Sequence, residues 1–288
     1  MGPHHVRLGR PSRGRATAGR RDRRLKVPQA HGREIIQVPM ATENGRLVYD
    51  LEALDAAFAA GGGLLIQCNP HNPVGRVLER GEMVAIAEVV ERHGARVFSD
   101  EIHAPLVFPG YEHVPYASLN EVAAGHTVTA TSASKAWNLP GMKCAQMVLS
   151  NGADQELWAA KGMMFEHGVA NLGVIANTAA YTAGGQWLEE VIRYLDGNRM
   201  LLADLVAEPL PGVTYTPPEG TYLAWLDCRA LDLGDHSTEF FAGHAGVAMT
   251  DGSMCGDAGR GAAWYNFATP RPIMVQTIEQ MGAALKAR

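Results

Sequence analysis

One pattern, met three times, limits what this chain can become. A short apolar run is followed at once by a polar loop, and helix-forming sequence lies between the runs. The runs are Leu64–Cys68 (LLIQC), Ala95–Ser99 (ARVFS) and His126–Thr131 (HTVTAT). Runs this short and this apolar suit strands buried on both faces. The stretch from Glu79 to His93 repeats apolar residues at helical spacing (Met83, Ile86, Ala87, Val90) and predicts a crossover helix. The expectation is an α/β fold around a mostly parallel sheet, and such sheets gather ligands at the carboxyl ends of their strands.

Around this nucleus the elements punctuate clearly. Glu34 to Pro39 reads as a short strand. Asp50 is placed to cap a helix over Leu51–Ala60, and Gly61-Gly62-Gly63 stops it. No G-K-[ST] follows those glycines, so they are a turn rather than a phosphate loop. Beyond Asn151 the chain turns helical. Residues 186–207 carry Leu188, Val191, Ile192, Leu195, Leu202 and Leu205 in register, with Gly197-Asn198 predicted to interrupt them. Strands at 222–226 and 264–268, with helices near 237–245 and 272–286, complete a smaller α+β unit. Met163-Met164-Phe165 is expected to pack in a core. The domain reading is a basic leader over 1–26, a large domain over 27–185 and a small one over 186–288; about 150 residues per domain makes two folded units natural for 288 residues.

The leader holds eight arginines and Lys26 against the single acid Asp22. Almost without aliphatic residues, it is expected to be disordered. It lacks the apolar stretch of a secretory signal, and its scattered glycines and prolines oppose an amphipathic transit helix. The body is mildly acidic and has no run long and apolar enough for a membrane span, which argues against nucleic-acid and membrane partners; only the basic leader could touch nucleic acid. Cys68, Cys144, Cys228 and Cys255 are widely separated and form no C-x-x-C pair. They read as reduced thiols of a cytoplasmic protein, not as zinc ligands.

The chemistry follows the three strands. After the first comes Asn69-Pro70-His71-Asn72-Pro73-Val74-Gly75-Arg76. After the second comes Asp100-Glu101-Ile102-His103. After the third comes Ser132-Ala133-Ser134-Lys135, continuing to Lys143. Asp100, Glu101 and His103 lack the histidine spacing of a metal site, and no metal is expected. An amide, a carboxylate, an amine and hydroxyls at one sheet edge suit pyridoxal phosphate. An amine forms its Schiff base, a carboxylate keeps the pyridine nitrogen protonated, an amide reaches the phenolic oxygen, and hydroxyls with a cation hold the phosphate.

These loops contain NPHNPVGR (69–76), SDEIHAPLVFPG (99–110) and SASKAWNLPGMKCA (132–145), and are joined by PEGTYLAWLD (218–227) and NFATPR (266–271). From about Val27 to its end the chain resembles the fold-type I pyridoxal-phosphate enzymes of the aminotransferase class I/II superfamily, and most closely the MalY/PatB cystathionine β-lyase group. The resemblance implies that Lys135 is the Schiff-base lysine and the base for the substrate α-proton. Asp100 would pair with the pyridine nitrogen, Asn72 would bond the phenolic oxygen, and Ser132 and Lys143 would contact the phosphate. His103 stands where many aminotransferases carry tyrosine, which favours the lyase group. The implied reaction is α,β-elimination from a small amino-acid thioether, giving thiol, pyruvate and ammonia, in a homodimer. An aminotransferase on the same scaffold, and a non-catalytic remnant or binding module, are the alternatives.

Two departures stand out. The family carries a substantial segment before the matched part, with a first large-domain strand, a phosphate-binding loop and a ring-stacking tyrosine. None is visible, so the large domain is expected to be N-terminally incomplete and activity impaired. The family also places an arginine for the substrate carboxylate two residues before the Asn of NFATP. Here that position is Trp264, and Arg260 or Arg271 would have to serve.

Overall fold

The structure is a computed structural model that describes residues 4–7 and 23–288, with side chains from residue 26 onward. Its larger sheet contains β1 (His4–Arg7), β2 (Glu34–Gln37), β5 (Gly62–Cys68), β6 (Arg96–Asp100), β7 (Thr127–Thr131) and β8 (Gln146–Leu149), in the order β2-β1-β5-β6-β7-β8. β3 (Ala41–Glu43) and β4 (Arg46–Val48) form a separate hairpin. The three apolar runs are β5, β6 and β7, and they are parallel. β8 and β1 close this trio by antiparallel pairing.

Two pieces of the 1–26 segment carry secondary structure, where its composition predicted none. His4–Arg7 lies between β2 and β5, and a helix begins at Arg23. The physical reason for β1 is the outer edge of β5. Its unpaired backbone groups accept any extended segment that reaches them, whatever the side chains. The remainder of that leader lies outside the described residues.

Helix boundaries follow the capping chemistry. Asp50 accepts from the Ala53 amide at 2.9 Å and starts Leu51–Ala59. Glu79 and Glu82 form a capping box that starts Arg80–Arg92. Together with Tyr116, Leu119 and Ala123, these two helices bury Leu65 and Val97 on one side of the sheet.

The smaller sheet is antiparallel, ordered β11-β12-β10-β9, from β9 (Thr214–Tyr215), β10 (Leu223–Asp227), β11 (Thr250–Asp251) and β12 (Ala262–Asn266). Ala224, Leu226, Ala263 and Tyr265 turn one of its faces into a core with Leu195, Leu202, Phe241, Met274, Ile278 and Met281. Leu106, Phe108 and Ala136 join this core from the loops beyond β6 and β7.

Two expectations fail. Gly185–Ala207 is one continuous helix, with no break at Gly197-Asn198. Asn198 is fully buried and donates to the carbonyls of Phe267 and Thr269, so tertiary bonds outweigh local propensity. Met163, Met164 and Phe165 do not enter a core: they are 66%, 76% and 73% exposed. They belong to an apolar surface that also includes Leu157, Leu172 and Ile175.

Candidate active site

Strand register assembles the site. Cys68 lies opposite Asp100, and Asp100 lies opposite Ala130. Neighbouring strands are about 4.8 Å apart, so the loops bearing Asn72, His103 and Lys135 leave from adjacent strand ends.

The first loop is closed on itself. The Asn69 amide donates to the Asp100 carbonyl, and its side-chain oxygen accepts from the Leu78 amide at 3.0 Å. The His71 amide donates to the Arg76 carbonyl, and the Gly75 amide returns to the His71 carbonyl, both at 2.6 Å. Asn72 sits half-buried inside this tight turn.

Asp100 and Glu101 face opposite ways. Asp100 is half-buried, and its carboxylate accepts from the Ile102 amide at 3.3 Å. Glu101 is buried and turns inward. It accepts from the Ser99 hydroxyl at 2.8 Å and the Tyr116 amide at 3.0 Å, and its other oxygen lies 3.1 Å from His113 Nε2. Its role is to fix the strand end from behind. His103 is buried, with the edge of its ring against Tyr222 at 5.6 Å between centroids.

Lys135 is half-buried in the short helix Ala133–Ala136. Two groups hold the start of that helix. Ser132 Oγ accepts from the Ser134 amide at 3.0 Å, and Asn177 Oδ1 accepts from the Ala133 amide at 3.0 Å. Asn177, 2% exposed, comes from the helix Asn171–Ala183. Sequence reading missed it, because an asparagine at mid-helix, some forty residues away, carries no local signal. Ser132 also donates its hydroxyl hydrogen to the Cys144 carbonyl at 2.6 Å. Both hydroxyl functions are thereby used within the protein. Lys143 is exposed, with its backbone in the left-handed region at φ +48°.

The two candidate arginines differ. Arg260 donates to Asp235 and Asp257, at 3.2 and 3.1 Å, and its charge is matched there. Arg271 opens the last helix, lies 5.0 Å over the Tyr194 ring and donates to the neutral Asn198 Oδ1 at 3.1 Å. Trp264 lies in β12 directly opposite Trp225. A further group was passed over as well. Glu219, 7% exposed, accepts from the Val77 amide at 2.8 Å and pairs with Arg46 and Arg76. The turn Asn44-Gly45, with both φ positive, builds the hairpin that delivers Arg46.

Comparison with known proteins gives a consistent result. Residues 26–261 match the family described as aminotransferase class I and II. A Mycobacterium tuberculosis protein provisionally named a cystathionine β-lyase is 41% identical over 282 residues, covering 89% of this chain and 68% of that one. A Corynebacterium glutamicum cystathionine β-lyase is 35% identical over 263 residues, covering 91% and 68%. The crystal structure of cystalysin from Treponema denticola, which contains pyridoxal 5'-phosphate, matches with a TM-score of 0.85 at 30% identity, covering 92% of this chain and 68% of that one. The chain thus spans about two thirds of the length of these relatives.

Proposed function

Because the chain belongs to the class I and II aminotransferase family, we propose that it is a pyridoxal-phosphate-dependent carbon–sulfur β-lyase of the cystathionine β-lyase type. The observation that carries this reading is the placement of Asn72, Asp100 and Lys135 on loops and ends of three adjacent strands. The names of the relatives support the lyase reaction in particular.

The donor set fits the ring end of the cofactor. Asp100 and Lys135 are each half-buried, covered enough to act in a reduced dielectric and open enough to meet a ligand. At the phosphate end the fit needs one adjustment: Ser132 must turn its hydroxyl hydrogen away from the Cys144 carbonyl. Lys143, exposed beside it in sequence, would supply the cation.

When bound, pyridoxal phosphate supplies an electron sink for the carbanion left at the substrate α-carbon. The rest falls to the chain. Lys135 would carry the cofactor through Nζ, release it to the substrate amine, and accept the α-proton on that nitrogen. The Asp100 carboxylate would hold a proton on the ring nitrogen, keeping the sink effective. Asn72 would donate its side-chain amide to the phenolic oxygen, and His103, its ring edge against Tyr222, would lie beside the cofactor. The Cβ–S bond then breaks with its electron pair leaving on sulfur, and the thiolate takes a proton. Lys135 would retake the cofactor through Nζ, freeing the three-carbon enamine, which water would convert to pyruvate and ammonia. Arg271, whose charge meets no carboxylate among the described contacts, is the better partner for the substrate carboxylate; Arg260 is already neutralised.

The same reading includes a cytoplasmic homodimer. Apolar side chains exposed over residues 142–187 supply the surface such a dimer would cover. No helix among the described residues is long and apolar enough to cross a membrane.

The test is reductive trapping followed by assay. The purified chain is incubated with pyridoxal phosphate, reduced with borohydride and digested. A pyridoxyl group on Lys135 is expected, with pyruvate released from cystathionine. Amino transfer that depends on a keto acid, without pyruvate release, would make the chain an aminotransferase. A folded chain with no label on Lys135 would remove the cofactor assignment.

A further inference from the structure

The segment Pro218–Tyr222 runs across both loops that carry Asn72 and His103. The amides of Glu219 and Gly220 donate to the Gly75 carbonyl at 2.8 and 2.9 Å. The Phe108 amide donates to the Glu219 carbonyl at 3.0 Å, and the Thr221 amide donates to the Leu106 carbonyl at 2.7 Å. The crossings are tight enough to require glycine on both sides. A Cβ on Gly75 would stand 2.2 Å from Pro218 Cβ, and Gly75 has φ +74°. A Cβ on Gly220 would stand 2.8 Å from the Leu106 carbonyl oxygen.

The segment is also strained. Thr221 is fully buried with φ +67°, a conformation a β-branched residue adopts only where its surroundings impose it. Its hydroxyl accepts from the Leu223 amide at 2.9 Å, which helps to hold it there. The next residue, Tyr222, is the one whose ring meets His103.

What pins this segment is Glu219. One carboxylate oxygen accepts from Arg46 Nε at 3.0 Å. The other accepts from the Val77 amide at 2.8 Å and lies 3.3 Å from Arg76 Nε. Arg76, 4% exposed, is held in turn by Glu82 at 2.6 Å, and Arg46 by Glu79 at 2.6 Å. A carboxylate this buried between two guanidiniums is worth most for the geometry it fixes.

We propose that Glu219 is a positioning residue: it clamps the strap 218–222 onto the loops of Asn72 and His103, and so sets where those two side chains meet the cofactor. The proposal rests on the site reading given above, but its first readout does not need the cofactor.

The experiment is hydrogen exchange by mass spectrometry on the full chain and on Glu219→Gln, with thermal unfolding in parallel. Peptides over 69–78 and 103–110 should exchange about tenfold faster in the variant, while the helix Arg271–Lys286 keeps its rate. Titration with pyridoxal phosphate, followed by its visible absorption, should show binding weakened by about tenfold. Equal rates in those loops, or a rise spread evenly over the whole chain, would overturn the clamp. A double variant, Arg46→Met with Glu219→Gln, separates charge balance from position. It should recover unfolding temperature without slowing loop exchange, and recovery of both would reduce Glu219 to a stabilising ion pair. If the wild-type chain takes up no cofactor, the functional reading fails, and loop exchange still decides the strap.

Discussion

The two faces of the parallel strands are finished to different degrees. On one face Leu65, Val97, Ser99, Thr127 and Thr129 are all buried, under the helices Leu51–Ala59 and Arg80–Arg92 and the segment around Tyr116. On the other face Ile66 and Cys68 of β5 are buried, but Phe98, Asp100, Val128 and Ala130 of β6 and β7 are only half-buried. Alternation along β6 and β7 assigns these residues to opposite faces of strands that share one register. The closed face is covered by the crossover helix and helices flanking the strands, so it needs nothing from elsewhere. The open face carries the Asp100 carboxylate, and the chain beyond it exposes apolar side chains from Met142 to Trp187. Closure on one side gives the rigidity that the proposed site needs; partial exposure on the other leaves room for access.

The open face should give the largest effects. Lys135→Ala should remove the borohydride-dependent label and lower pyruvate release by about a thousandfold or more, since a positioned general base alone contributes 10²–10⁴-fold. Retained label on another lysine would mean that the strand ends do not define the site. Phe165→Asp places a charge on the exposed apolar surface. Sedimentation should show dimerisation weakened by about a hundredfold, with secondary structure unchanged. An unchanged mass would mean that this surface is not what the second copy covers.

The closed face was also the more legible one in the sequence. Its strands, its crossover helix and the Asp50 cap follow from short-range pattern, because short apolar runs, helical spacing and capping are written in neighbouring residues. The polar loops could be placed at the strand ends for the same reason. What could not be read depends on contacts across long sequence separations. Asn177 caps the Lys135 helix from forty-four positions away, and Glu219 meets Val77 across one hundred and forty-two. Gly197-Asn198 looks like a helix break by propensity. Yet Gly197 leaves room for the Arg271 guanidinium, which would lie 2.6 Å from a Cβ there, and Asn198 is consumed by the NFATP loop. Met163-Met164-Phe165 departs from the expected core because apolar content alone does not say which side chains meet a neighbouring element.

A smaller effect should come from the support behind Lys135. Asn177→Ala removes the acceptor of the Ala133 amide and the donor to the Gly173 carbonyl, both at 3.0 Å. Stability in urea should fall by about 1–3 kcal/mol, the cost of leaving buried groups unpaired. Asn177→Asp keeps the acceptor and should weaken cofactor binding less than the alanine variant. If both variants bind pyridoxal phosphate as the wild type does, the Ala133–Ala136 helix needs no external cap, and the site side of the contrast is more self-sufficient than its hydrogen bonds imply.

The smallest expected effect belongs to the closed face and is a dependence on pH. His126 is buried, with Nε2 3.1 Å from the Tyr116 hydroxyl and Nδ1 3.5 Å from Glu91. Burial lowers its pKa below the usual histidine value of 6.5; Glu91 opposes the shift and Arg96 adds to it. The folded chain therefore keeps this ring neutral where the unfolded chain takes up a proton. The unfolded state binds more protons in the window from about pH 6.5 down to the folded value, so stability rises with pH there. On acidification this contribution is complete above 6.5 and is lost as the pH falls through the window. Urea midpoints measured from about pH 7.5 to 5.5 should decline in the wild type, and His126→Gln, which can still bond Tyr116, should flatten that decline. An equal decline in both would place the acid sensitivity elsewhere, and the closed face would then owe nothing to the buried His126 imidazole.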